Sequence, residues 1–216
     1  LDRQNKTIQL AAISDGDEEV LPQRNVRYDQ LVIALGSVTN DFGTKGAAEY
    51  CYFLDGRPQA ERFHQKLLNQ FLKANGQNDP SELSIAIVGA GATGVELSAE
   101  LYNTTEALAR YGMSQLKTDK LQVNLVEAGR HILPALPERI SNAAKRELEK
   151  LGVNVLTNTM ITEVTDSGFL TAHGSHINAK LKVWAAGVKA PEFLKDIDGL
   201  ETSRANQLVV NDFLQT

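Results

Sequence analysis

Residues 89–96 read Gly-Ala-Gly-Ala-Thr-Gly-Val-Glu, which sets Gly89, Gly91 and Gly94 in Gly-x-Gly-x-x-Gly spacing. Between a strand and a helix, that spacing suits the capture of a pyrophosphate. The first glycine makes a tight turn, the second lets backbone approach the phosphates, and the third lets the helix pack against the strand. The helix N-terminus adds unpaired N–H groups and partial positive charge. Ala90, Ala92 and Thr93 complete this candidate cofactor-binding turn. The motif alone also fits a plain glycine-rich turn in any α/β domain. A second candidate is Glu127, which ends the strand-like run 121–126. A carboxylate there in a dinucleotide-binding unit accepts hydrogen bonds from the adenosine ribose and repels a 2′-phosphate, so NADH is expected over NADPH. Arg130 lies close by and works against that preference, because a nearby arginine accommodates the phosphate. The gap from Gly94 to Glu127 exceeds the usual ~20 residues. A long first helix and a loop at 112–120 absorb the excess.

The flanking pattern supplies elements to position these groups. Residues 84–88 are apolar apart from Ser84, as in a parallel strand buried on both faces. Val95, Ser98 or Ala99, and Tyr102 then recur at helical spacing, and Gly112 offers a stop. Pro137 and Gly152 bracket an amphipathic helix over 138–151. Residues 153–156 read as a third strand. Pieces near 159–164, 168–172 and 177–180 read as a meander, and 181–187 as a returning strand with Trp184 in the core. Upstream, 6–14 and 20–27 form a hairpin-like unit around a charged tip at 15–19. Residues 31–35 read as a buried strand ending at Gly36-Ser37. Residues 38–57 read as loop, 58–74 as helix and 75–82 as a polar linker. The expected class is α/β: a Rossmann-like dinucleotide-binding domain with a parallel sheet and a β-meander over 81–190. Pieces of a second domain are expected at 1–80 and 191–216.

Composition narrows the function. A formal net charge of −5 and the lack of a basic stripe argue against nucleic acid. No apolar run approaches the ~20 residues of a membrane span. One cysteine, Cys51, excludes an internal disulfide and CxxC chemistry, and it reads as a small, partly buried residue. His64, His131, His173 and His176 show no metal-site pairing; the last two flank Gly174-Ser175 and read as surface residues. No catalytic side chain and no metal site are expected. Leu1 is not methionine, and the chain stops just after a strand-like 207–211, so both ends are expected to be cut from something longer.

Four stretches together carry a family resemblance: 28–37 (Tyr-Asp-Gln-Leu-Val-Ile-Ala-Leu-Gly-Ser), 89–96, 125–129 (Leu-Val-Glu-Ala-Gly) and 183–187 (Val-Trp-Ala-Ala-Gly). They resemble the flavoproteins with two dinucleotide-binding domains. Within these the chain looks most like the type II NADH:quinone oxidoreductases, through residues 91–100, the loop 131–137 and residues 183–191. The resemblance implies hydride transfer from NADH to FAD and electron delivery to a membrane quinone, with the chemistry belonging to the cofactors. It implies that Glu96 faces the nicotinamide end; from sequence alone Glu96 reads equally as a first-turn acid favoured by the helix dipole. Glu100, one turn on, reads as a helix-surface or helix-contact residue. Ala186 and Gly187 would pass the nicotinamide through backbone, and Ala34 to Gly36 would touch the adenosine side of FAD. An FAD-binding turn is expected before residue 1. A quinone-site segment and an amphipathic membrane anchor are expected after residue 216, placing the whole protein on the cytoplasmic face of the bacterial inner membrane. Exposed strand edges make a homodimer possible.

Three rival readings stand beside this one. The first is a related FAD-dependent disulfide or ferredoxin reductase. The second is a non-catalytic NAD-binding sensor module. The third is a plain NAD dehydrogenase with its own substrate domain.

Overall fold

A computed structural model describes residues 1–77, 83–111 and 121–216. Most of the expected linker, the stop at Gly112 and the loop 112–120 lie outside the described residues. The chain divides into two compact units, one of Leu1–Val38 with Val188–Thr216 and one of Thr39–Gly187. The sequence placed its boundaries at 80/81 and 190/191. The helix after residue 56 belongs with the larger unit because Phe63, Leu67, Phe71 and Ala74 bury in that unit's core.

In the smaller unit, β1 (Thr7–Leu10) pairs antiparallel with β4 (Arg24–Arg27). Within that pair, β2 (Ile13–Asp15) pairs with β3 (Glu18–Leu21) around a turn at Gly16. The expected hairpin is present but each arm is broken; Pro22, with no N–H for a ladder, ends β3. The expected buried strand at 31–35 is not there. These residues join no ladder, and Val32 is 85% exposed. A strand buried on both faces needs neighbours and covering layers, and none of β1–β4 pairs with it. The two-residue strand β5 (Val38–Thr39) follows.

The larger unit has three layers. It runs α1 (Ala47–Tyr50), α2 (Arg57–Gln77), β6 (Ser84–Val88), α3 (Ala92–Arg110), β7 (Gln122–Val126), α4 (Glu138–Leu151), β8 (Asn154–Leu156), β9 (Ile161–Thr165), β10 (Gly168–Thr171), β11 (His176–Asn178) and β12 (Leu181–Trp184). The central sheet is parallel with order β12-β6-β7-β8. Alternation along its strands sorts the two faces. Ile85, Ile87, Val123, Leu125, Leu181 and Val183 meet the helical layer through Phe71, Leu101, Tyr102 and Leu148. Ala86, Val88, Val126 and Trp184 meet the antiparallel meander β9–β11 through Ile161, Val164 and Phe169. Every residue of β6 is buried, as its sequence requires.

Downstream, β13 (Val188–Lys189) and a 3₁₀ turn at Glu192–Asp196 lie in the smaller unit. The strand-like 207–211 makes only an isolated bridge, between Leu208 and Thr202.

Phe71 is fully buried between α2 and the sheet. Phe71→Ala should therefore cost about 3–5 kcal/mol, read by urea unfolding with Trp184 fluorescence. A loss under about 1 kcal/mol would make α2 peripheral to the core.

Candidate dinucleotide-binding site

The glycine turn sits at the carboxyl end of β6. Strand order reverses there, with β7 on one side and β12 on the other. In open α/β sheets ligands bind in the crevice at such a point. The three glycines do different things. Gly89 has φ +102°, and an added Cβ would stand 2.5 Å from the Ala186 nitrogen. At Gly94 an added Cβ would stand 2.0 Å from the Gly89 carbonyl oxygen. These two are demanded by the protein itself. Gly91 is not: its φ of −71° suits any residue, and an added Cβ would meet nothing within 4 Å. Gly91 also caps α3 with no side-chain hydrogen bond, so first-turn N–H groups face outward beside exposed Ala92 and Thr93. Ala90 between them is fully buried.

Glu127 follows β7 and reaches this turn. Its Oε2 accepts the Ala90 N–H at 2.9 Å, and its Oε1 accepts the Gly129 N–H at 2.7 Å. The loop 131–137 is pinned to the same place, the Leu133 N–H donating to the Ala90 carbonyl at 2.7 Å. Residues far apart in sequence thus meet around Ala90. Each carboxylate oxygen keeps capacity for a second donor.

On the other side of the crevice lies the end of β12. The Ala185 N–H donates to Val88, and Ala186 abuts Gly89. Trp184 is buried, as expected, and its Nε1–H donates to the Asn40 carbonyl at 3.0 Å. Asn40 in turn donates its N–H to the Gly187 carbonyl. The sequence treated residues 38–57 as loop and missed this segment. Its one signal was an aromatic, Phe42, beside Gly43 in the otherwise polar run 39–45.

Glu96 is exposed and is the fifth residue of α3, beyond the first turn, which holds no acid. The helix-dipole reading of Glu96 is therefore corrected, since that effect fades past the first turn. Glu100 is exposed and accepts from Asn103 and Thr104. Ala34 and Gly36 lie exposed in the smaller unit; Gly36 has φ +70° with no atom within 4 Å of an added Cβ. His173 and His176 are both exposed. Burial pushes the Cys51 thiol up to about 12, which keeps it protonated and unreactive. Burial lowers the Lys182 ammonium, whose Nζ donates to the Asp166 carbonyl at 2.6 Å.

A profile of the pyridine nucleotide-disulphide oxidoreductases matches residues 1–216. The chain belongs to that family. The Type II NADH:quinone oxidoreductase of Haemophilus influenzae is 48% identical over all of this chain and 52% of its own length. The mitochondrial External alternative NAD(P)H-ubiquinone oxidoreductase B1 of Solanum tuberosum is 30% identical over 91% of this chain and 36% of its own. NDH2 from Plasmodium falciparum, solved in complex with NADH, superposes with a TM-score of 0.72 at 25% identity, over 88% of this chain and 40% of that one. The chain thus spans about half the length of the Haemophilus relative and less of the others. The resemblance drawn from the four stretches agrees with these findings, as does the expected parallel-sheet α/β class.

The different demands on the glycines can be measured. Gly94→Ala should lower the melting temperature by several degrees, because its Cβ meets backbone. Gly91→Ala should leave it within about 1 °C. Equal losses would mean that Gly91 also serves the fold.

Proposed function

We propose that this chain is the NADH-binding part of a type II NADH:quinone oxidoreductase. The observation that carries the reading is Gly91, a glycine the protein does not need, opening onto free space at the mouth of α3. A residue kept without a side chain beside outward N–H groups suits a close-lying pyrophosphate. The sequence relationship to the Haemophilus enzyme supports the same reading.

In this reading Gly89 to Gly94 cradle the pyrophosphate, with Ala90, Ala92 and Thr93 lining the turn. Glu127 binds the adenosine ribose, already oriented by its bonds to Ala90 and Gly129. Ala186 and Gly187 present neutral backbone to the nicotinamide half, and Glu96 points toward that end of the ligand. Ala34 and Gly36 take the adenosine side of FAD, for which the open position at Gly36 leaves room. Bound FAD supplies the hydride acceptor and passes the electrons on to quinone. The chain's own contribution is orientation and exclusion of water around the transfer. The quinone places the working protein at a membrane, on the cytoplasmic face of the bacterial inner membrane. Among the described residues no helix is long and apolar enough to cross one; peripheral association is the form the family resemblance implies.

Titration with NADH and NADPH under anaerobic conditions tests the reading. The native protein should bind NADH more tightly. Glu127→Ala should weaken NADH at least about tenfold, the loss expected for two charge-assisted ribose contacts, and should narrow the difference between the nucleotides. Glu127→Gln removes the charge and one of the two acceptors: it should keep one of the two backbone bonds, to Ala90 or Gly129, and lose discrimination. An unchanged preference in both variants would remove Glu127 from the site.

A further inference from the structure

We propose that Phe42 is the aromatic wall against which the nicotinamide ring stacks. The inference rests on the dinucleotide reading above and adds a residue to it. Phe42 has φ +54°, a left-handed conformation that bulky side chains rarely adopt. Its side chain is no part of the core, since Phe42 is 67% exposed. An exposed aromatic in strained backbone adds nothing to the buried core, and such outliers persist only where their surroundings impose them.

The surroundings do impose it. The Thr39 N–H donates to Asp55 Oδ1 at 2.7 Å. The Asn40 carbonyl is held by the buried indole of Trp184 at 3.0 Å. The Phe42 N–H is taken by Asn40 Oδ1 at 3.0 Å, and the Gly43 N–H by Asp41 Oδ1 at 3.1 Å. Each bond fixes the backbone on one side of Phe42, and together they aim its ring.

The ring is aimed at the crevice. A Cβ added to Gly187 would lie 2.4 Å from Phe42 Cζ, so the far edge of the ring rests on the Gly187 backbone. Gly187 follows Ala186, and Ala186 abuts Gly89 of the phosphate turn. A continuous path of close contacts therefore runs from the pyrophosphate position to the open face of the ring. It runs along β12, on the opposite side of β6 from Glu127 and β7. If Glu127 marks the adenosine half, Phe42 marks the nicotinamide half. The chemistry fits: a flat heteroaromatic ring stacks on a flat hydrocarbon ring without needing hydrogen-bond partners.

ADP-ribose, which carries every part of the dinucleotide except nicotinamide, separates the two halves. Calorimetric titrations of the purified protein with NAD⁺ and with ADP-ribose should show Phe42→Ala weakening NAD⁺ about 5- to 10-fold and leaving ADP-ribose unchanged. Phe42→Leu, which keeps apolar bulk without a ring, should behave like Phe42→Ala, and Phe42→Tyr should restore NAD⁺ binding. Equal losses for both ligands, or no loss for either, would make Phe42 a brace of its loop and overturn the proposal. If the native protein binds neither ligand, the dinucleotide reading fails first, and this inference with it.

Discussion

How closely α3 approaches the end of β6 is the constraint on which the larger unit depends. At Gly94 there is no space for even one carbon, because the Gly89 carbonyl already occupies it. That approach sets everything C-terminal to it on the helix. Ser98, fully buried one turn later, closes its hydroxyl onto the Gly94 carbonyl at 2.6 Å. Leu101 and Tyr102 then reach the sheet. The Tyr102 hydroxyl lies 2.7 Å from the Gly152 carbonyl and 3.2 Å from that of Leu121, which ties α3 to the end of α4 and to the residue before β7. Lift the helix by the width of a methyl group and those bonds break together. The same approach sets the free first turn of α3 at the carboxyl end of β6, so packing and the proposed phosphate geometry would share one cause.

Glu127 serves two ends in the same way. Its bonds to Ala90 and Gly129 hold the β7 loop against the glycine turn. A carboxylate whose oxygens each accept one N–H is already oriented, so a ribose would lose little further side-chain freedom on binding. It is not spent either, because each oxygen can accept a second donor. An aspartate, shorter by one methylene, would not span the same gap.

The larger unit was legible because its signals were local and mutually consistent. An all-apolar β6 requires burial on both faces, and the glycine spacing needs a strand before it and a helix after it; both conditions are met. The smaller unit was harder to read. Leu31 to Leu35 carries the pattern of a buried strand, yet no strand among β1–β4 pairs with it, and a sequence pattern cannot supply its own neighbours. The Asn40–Phe42 segment was missed for another reason. Its order comes from bonds to Trp184 and Gly187, more than 140 positions away, and nothing in a polar loop sequence announces such a tether.

The two sides of the crevice are built differently, and the proposed hydride transfer would account for the difference. The β7 side has charge and directional hydrogen bonds, centred on Glu127. If that side takes the adenosine half of the ligand, as proposed, its contacts are to a part unchanged by reaction, and they would hold NADH and NAD⁺ alike without lowering the barrier. What speeds transfer is the alignment of the ring with its acceptor. The β12 side offers backbone and apolar surface at Ala186 and Gly187 instead. A strong ionic contact there would grip the cationic product ring and slow its release. Two groups with reactive potential are engaged elsewhere in the fold. Cys51 is held protonated by burial, and Lys182 is turned into the meander to bind a carbonyl. In the proposed reading, transfer between bound cofactors asks the chain for no proton donor and no nucleophile, only for glycines, one carboxylate and the shape of a sheet edge.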